Sequence, residues 1–398
     1  MNLFDLLLYT VKKNSIMKLF FFPFMVSLFL LGPTFANQTN IEKDSPESKD
    51  SKRKIQLVIL FDTSNSMDGL LEQAKSRLWE IVNETSELRH SGEIPILEIA
   101  MYDYGNDGIR GNNYVRKQLD FTSDLDMVSK KLFGLRTNGG SEYCGAVIKD
   151  ALLELDWSND SRDLKMIYIA GNERFNQGPV NYKEVCKMAM DNDVVVNTIY
   201  CGNRDQGIKE FWMDGASCSN GDYFNINSNE RVVFIPTPYD DQINKLSMEV
   251  NSTYVSYGSL GTERKALQME QDAEAMDQAP AVASMRAKAK TSSNYNNARW
   301  DLVDAFIADS TIIQKIDKKD LPKDLQGKSE EELNKYVELK ITERKEIQEQ
   351  ISELSVKRDA FIKEERAKDK SAKEDDFGTA VNKSIKERAV NKGFEGNE

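Results

Sequence analysis

The chain has 398 residues and a formal net charge of −12, from 65 acidic and 53 basic side chains. An acidic surface argues against nucleic acid as a partner, because phosphate recognition needs clustered Lys and Arg. The length accommodates one domain of about 200 residues with accessory segments, and the body of the chain contains no apolar run of about 18 residues long enough to span a membrane.

The N-terminus has a different character. Lys12, Lys13 and Lys18 precede the apolar stretch 19–31, which is followed by Gly32, Pro33, Thr34, Phe35 and Ala36. A basic start, an apolar centre and a small-x-Ala ending predict a secretory signal peptide over residues 1–36, cut after Ala36, with Met17 a candidate start. The alternative is an uncleaved anchor. No Cys follows the apolar stretch, which argues against a lipoprotein. The expected location is therefore secreted or periplasmic, in a bacterial cell envelope. Residues 37–53 are polar and charged and read as a disordered linker.

Residues 55–61 (IQLVILF) are nearly all apolar and β-prone, the pattern of a strand buried on both faces. Asp62, Ser64 and Ser66 follow at alternate positions, and residues 68–88 then have helical apolar spacing. One carboxylate and two hydroxyls make a hard, oxygen-only ligand set suited to Mg²⁺, Mn²⁺ or Ca²⁺. The same residues in isolation also suit a helix cap.

Downstream, a strand with alternating Leu97, Ile99 and Met101 runs into a loop at 102–105. Residues 106–113 read as a hairpin, and 114–119 as a short antiparallel edge strand. Helices are expected from Thr122 to about Phe133, over 144–155, over 182–190 and around 206–216. Buried strands are expected at 166–170 and 194–200, with a last one at 223–224. Buried strands alternating with helices predict an α/β, doubly wound, mostly parallel sheet with one antiparallel edge strand.

The strand–Asp-x-Ser-x-Ser–helix start and this order of elements resemble the von Willebrand factor A (vWA) domain family, over residues 54–227. The resemblance implies a metal ion-dependent adhesion site that holds a divalent cation, most simply Mg²⁺, with Mn²⁺ or Ca²⁺ as substitutes. It assigns Asp62, Ser64 and Ser66 as ligands from the first loop. The family's second loop supplies a Thr or an acidic residue after a Gly-rich turn. Here that turn is 136–142, with Ser141 as the expected ligand and Thr137 and Glu142 as competitors; Ser141 also suits a cap for the next helix. The third loop of the family carries an Asp, which is absent here. Asn172 or Glu173 stands in its place, and Glu173 is taken as the ligand. Asp103 is expected behind the ligands. Fewer carboxylates imply weaker cation binding and a cation that attracts an acidic residue from a protein partner, which is the family's mode of adhesion.

Four cysteines, Cys144, Cys186, Cys201 and Cys218, lie in the mature chain, where an oxidising compartment permits disulfides in any of three connectivities. Cys144, Cys186 and Cys201 are expected toward the metal loop. A zinc site is disfavoured, because there is no C-x-x-C and His90 is the single histidine. His90 is expected in a surface loop. Catalysis is not expected either: no Ser-His-Asp set is possible with a lone histidine, and no Gly-rich phosphate loop precedes a Lys.

Residues 228–290 resemble the extension that follows the vWA domain in a group of secreted bacterial proteins, with extended segments at 231–238 and 252–255 around a helix at 242–250. Residues 291–368 are expected to be helical. Their longest helix, 330–368, carries Leu333, Val337, Ile341, Ile347, Ile351, Leu354 and Phe361, but Lys340, Arg344 and Arg358 interrupt the heptad seam. It is therefore expected to pack on its own chain rather than form a coiled-coil oligomer. Residues 369–398 are expected to be a charged, disordered tail. The function expected from all this is cation-dependent binding of a protein partner. A metal-free envelope scaffold is the alternative, followed by a metal-dependent hydrolase.

Overall fold

The computed structural model describes residues 52–109, 111–227, 232–368 and 377–396. The expected signal peptide and most of the expected linker fall outside these residues. Arg53, at the linker's end, does not fit the disordered reading. It is buried, with Nη1 2.6 Å from Asp160.

Strand β1 (Lys54–Asp62) is buried from its second residue to its last. Its side chains alternate between two cores, as the period of two requires. Ile55, Leu57, Ile59 and Phe61 face one core, and Val58 and Leu60 face the other. Helix α1 (Asp68–Ser86) leads to β2 (Ile96–Tyr104), β3 (Val115–Thr122), α2 (Leu125–Gly134) and α3 (Cys144–Glu154). The chain continues through β4 (Leu164–Gly171), α4 (Tyr182–Asp191), β5 (Val195–Cys201), α5 (Arg204–Lys209), α6 (Trp212–Ser217) and β6 (Tyr223–Ile226). One helix was expected around 206–216; Phe211, at φ +69, divides it into α5 and α6.

The six strands lie in the order β3-β2-β1-β4-β5-β6, with β3 antiparallel to β2 and the remaining pairs parallel. This is the expected α/β sheet with one antiparallel edge. The chain winds outward in one direction from β1 to β2 and in the other from β4 to β6. The carboxyl ends of β1 and β4 therefore flank the point where the winding reverses, the place where open α/β sheets keep their ligands. Asp62 is the last residue of β1, paired in register with Tyr104 of β2, and Phe61 is paired with Ala170 of β4.

Beyond the sheet come α7 (Asp240–Asn251), α8 (Gly261–Gln278), α9 (Pro280–Ala289), α10 (Leu302–Ala308), α11 (Ile312–Lys315), α12 (Glu330–Lys368) and α13 (Phe377–Asn391). Helix α9 packs against α1, and its Arg286 is 1% exposed. The Arg286 guanidinium pairs with Asp126 of α2 at 2.7 Å and Asp272 of α8 at 2.6 Å, and lies 4.6 Å over the Trp79 ring. A charge this deep is tolerated because both partners and the ring face it.

Helix α12 runs along its own chain, against α7, α9, α10 and α11. The two arginines that interrupt its seam are buried there. Arg344 pairs with Asp301 at 2.7 Å and Asp304 at 2.6 Å, and Arg358 pairs with Asp240 at 2.7 Å. These two heptad breaks are thus ion-pair positions facing the rest of the chain, whereas Lys340 pairs within α12, with Glu343.

The disordered reading of 369–398 is corrected over 377–396. Phe377, Val381, Ile385 and Ala389 recur every fourth residue and are buried, while Lys383, Lys386 and Glu387 face outward. This amphipathic stripe packs α13 on α1. Phe377 sits 5.9 Å from Phe61, centroid to centroid, and Arg388 pairs with Asp222 at 2.8 Å.

Candidate functional site

The first loop is built by Asp62 accepting a hydrogen bond from the Ser64 main-chain N–H on Oδ1, at 2.7 Å. This turn brings the two serine hydroxyls together, with Ser64 Oγ 3.2 Å from Ser66 Oγ. Asp62 is 0% exposed, and its Oδ2 is buried without a hydrogen-bond partner.

The second loop approaches Asp62 where two glycines meet, Gly105 just after β2 and Gly140 of the loop itself. At Gly105, φ is +72, and a Cβ there would stand 2.7 Å from Glu142 Cγ and 2.9 Å from Asp62 Oδ1. At Gly140, a Cβ would stand 2.6 Å from the Gly105 carbonyl oxygen. Only glycine permits these approaches, and their result is to set Glu142 beside Asp62. Glu142 is 6% exposed, and its Oε2 is also buried without a partner.

The third loop closes the site from β4. Asn172 donates from Nδ2 to Ser66 Oγ at 3.0 Å. The Glu173 carbonyl accepts from Trp212 Nε1 at 2.6 Å, while its exposed carboxylate accepts from Gln177 at 3.3 Å. Glu173 therefore lies at the rim, where its charge acts on both buried acids.

The buried pair titrates abnormally. Burial pushes the Asp62 carboxyl up to about 6, against the hydrogen bonds from Ser64 and with Glu173 adding to the rise. Glu142 is pushed up to about 9, by burial first and by the neighbouring Asp62 charge second. Two carboxylates in one dry crevice favour either a proton or a cation between them.

Among the expected ligands, Asp62, Ser64 and Ser66 come together as the motif implies. The acidic competitor Glu142, rather than Ser141, stands at the carboxylate. Ser141 makes no hydrogen bond among the described residues, and α3 is preceded by Tyr143 as N-cap, so Ser141 does not cap it. Thr137 turns away and donates to Asp68 Oδ1 at 2.5 Å. Asp103 lies behind the first loop, bound by Arg116 at 2.6 Å, Gln118 at 2.9 Å and the Thr63 hydroxyl at 3.3 Å. The choice between Ser141 and Glu142 turns on the path after Gly139 and Gly140, and the acidic option of the family's second loop was the one available signal.

Cys186 and Cys218 form a disulfide between α4 and the end of α6. Cys144 and Cys201 are buried free thiols, and Cys144 donates to the Tyr104 hydroxyl at 3.8 Å beneath the site. His90 packs edge-on to Phe394, its ring centroid 5.3 Å away, beyond the far end of α1.

The residues fit a divalent cation. Asp62 and Glu142 each keep one buried oxygen without a partner, and the Ser64 and Ser66 hydroxyls stand 3.2 Å apart; all four side chains offer hard oxygen donors. Among the described residues no group of three or more His, Cys, Asp or Glu gathers as a metal cluster.

No family model matches the sequence, and no curated protein matches it. Solved structures that resemble the chain include vWA domains. Proximal thread matrix protein 1 from the mussel byssus, a structure with a zinc-occupied MIDAS motif, is 15% identical with a TM-score of 0.34; the match covers 44% of this chain and 42% of that one. The chain thus spans less than half the length of the mussel protein. BatB from Bacteroides thetaiotaomicron is 15% identical with a TM-score of 0.34, over 56% of this chain and 99% of that one. The vWA domain of SpRpn10 is 17% identical with a TM-score of 0.33, over 48% and 95%. These likenesses concern fold alone, and the strand order of the sheet is what defines the fold here.

Proposed function

We propose that the crevice at the carboxyl ends of β1 and β4 binds a divalent cation, Mg²⁺, Mn²⁺ or Ca²⁺, and through it a protein partner. The observation that carries this reading is the pair of buried, unpartnered oxygens, Asp62 Oδ2 and Glu142 Oε2, beside the paired hydroxyls of Ser64 and Ser66. Left empty, the pair bears an uncompensated desolvation cost. A cation neutralises both charges at once. Asp62, Glu142, Ser64 and Ser66 would hold the ion, Asn172 would orient Ser66, and Glu173 would act from the rim.

Sequence reasoning expected too few carboxylates and hence a strong pull on a partner's acid. Glu142 changes that balance. A divalent cation beside Glu142 favours its ionised form, so Asp62 and Glu142 together balance the ion's charge and an oxygen of the partner completes its shell. An acidic residue of the partner is the ligand we propose, as the resemblance to the vWA adhesion site implies. We further propose binding without turnover, in a secreted or periplasmic setting. His90, the single histidine, packs against Phe394 and gives the site no base.

A metal-free scaffold is the second reading. Asn172 already satisfies Ser66, and a shared proton can stand where a cation would. Isothermal titration of the protein and of Asp62→Asn with Mg²⁺, Mn²⁺ and Ca²⁺ separates the two. Saturable binding lost in the folded variant supports the cation site, and no binding at millimolar metal favours the scaffold.

A further inference from the structure

We propose that Tyr104 is the positioning residue that ties the three loops of this site into one register and thereby sets its cation affinity. The inference rests on the cation-site reading above. Tyr104 ends β2 in full burial and reaches the first loop by its carbonyl and the elements carrying the other two by its hydroxyl. Its carbonyl accepts from the Thr63 N–H at 2.9 Å and from the Thr63 hydroxyl at 3.2 Å, fixing the first loop between Asp62 and Ser64. Its hydroxyl donates to the Ala170 carbonyl at 3.0 Å, immediately before the third loop. The same hydroxyl accepts from Cys144 Sγ at 3.8 Å, two residues beyond Glu142 of the second loop.

The hydroxyl also stands at the wall of the site. A Cβ on Gly171 would lie 2.7 Å from it and 3.1 Å from Asp62 Oδ2, so the phenol and the orphaned oxygen border one point of the third loop. Hydroxyl and carbonyl act together because the ring between them is rigid and tightly packed. If the hydroxyl is lost, the first loop stays pinned through the carbonyl, while the second and third lose this tie to it and keep only their direct ones, from the Asn138 N–H to the Thr63 carbonyl at 2.9 Å and from Asn172 to Ser66 at 3.0 Å. Ligands on separate loops then lose their mutual spacing, which a small cation with strict oxygen distances does not tolerate.

The test is Tyr104→Phe, which keeps the ring and removes only the hydroxyl. Tyr102→Phe serves as control, since Tyr102 lies in the same strand, is equally buried, and gives its hydroxyl to Glu154 at 3.2 Å, outside the loops. Affinity for Mg²⁺ and Mn²⁺ is measured by titration, the Mn²⁺ environment by electron paramagnetic resonance, and stability by urea denaturation of the metal-free proteins. Tyr104→Phe is expected to bind roughly tenfold more weakly with a broadened Mn²⁺ spectrum, the scale of one lost hydrogen bond. Tyr102→Phe is expected to bind as the parent does. Cys144→Ala, which releases only the second loop, is expected to show a smaller loss. If the parent binds and Tyr104→Phe binds equally well, differing only in its denaturation midpoint, Tyr104 is a core residue and the inference fails. If the parent shows no saturable binding, the cation-site reading fails first.

Discussion

Replacing Glu142 by Gln tests the site through stability alone, without a known partner. In the metal-free protein, the rise of Asp62 from 3.8 to about 6 corresponds to about 3 kcal/mol of differential proton binding. The sign follows from linkage. A carboxyl whose pKa is raised in the fold holds its proton more tightly there. Its contribution to stability is complete below the unfolded pKa and is lost as pH rises through the folded one. Asp62 therefore withdraws its share up to about pH 6, and Glu142 continues the withdrawal up to about pH 9. A cation present at about a hundred times its dissociation constant would restore about 2.7 kcal/mol. Urea denaturation from about pH 5 to about pH 9, with and without Mg²⁺, reads both effects. The metal-free parent is expected to weaken steadily across that range and Mg²⁺ to offset the loss. Glu142→Gln removes one of the two charges, so the upper part of the pH dependence flattens and the Mg²⁺ effect shrinks. A variant with the parent's pH profile and the parent's Mg²⁺ response would refute the paired-carboxylate argument.

Other consequences are independent of the cation. Arg344→Met strands Asp301 and Asp304 in the interior; a loss of about 3–5 kcal/mol is expected in chemical denaturation. Phe377→Ala removes the ring that α13 sets against Phe61, and should cost about 3–5 kcal/mol by the same measurement. Replacing Cys186 and Cys218 together by Ser opens a link between residues 32 apart in sequence. The melting temperature should fall in step with a loss of about 3–4 kcal/mol, and reducing agent should lower the parent's melting temperature while leaving the variant's unchanged.

The sheet was legible in the sequence because its central strands are buried on both faces. Residues 55–61, 166–170 and 194–200 read as predominantly apolar runs, which few other structures explain. The first loop was legible because three oxygen-bearing residues fall within five positions at one strand end. The second was not, since Ser141 and Glu142 are neighbours and only the glycine path through 139–140 decides which one meets Asp62. Helix α13 was overlooked because charge dominates residues 369–398, although the spacing of Phe377, Val381, Ile385 and Ala389 was there to be read. Arg344 and Arg358 were misweighed for a different reason. Sequence shows a charge on an apolar face but not the carboxylate waiting opposite, and Asp240, Asp301 and Asp304 come from distant segments.

Those two arginines fix where α12 sits lengthwise. They are about four turns apart, or about 21 Å along the axis, and each meets its own acid on a different segment. An apolar seam alone lets a helix creep by a turn, because one Leu or Ile fits a neighbouring groove almost as well. Here a slip of one turn would part both guanidiniums from their carboxylates at once, like a key whose two teeth must lift two pins together. The long helix consequently has one seat, and the segments it spans, from α7 to α10, keep their spacing as long as it is seated.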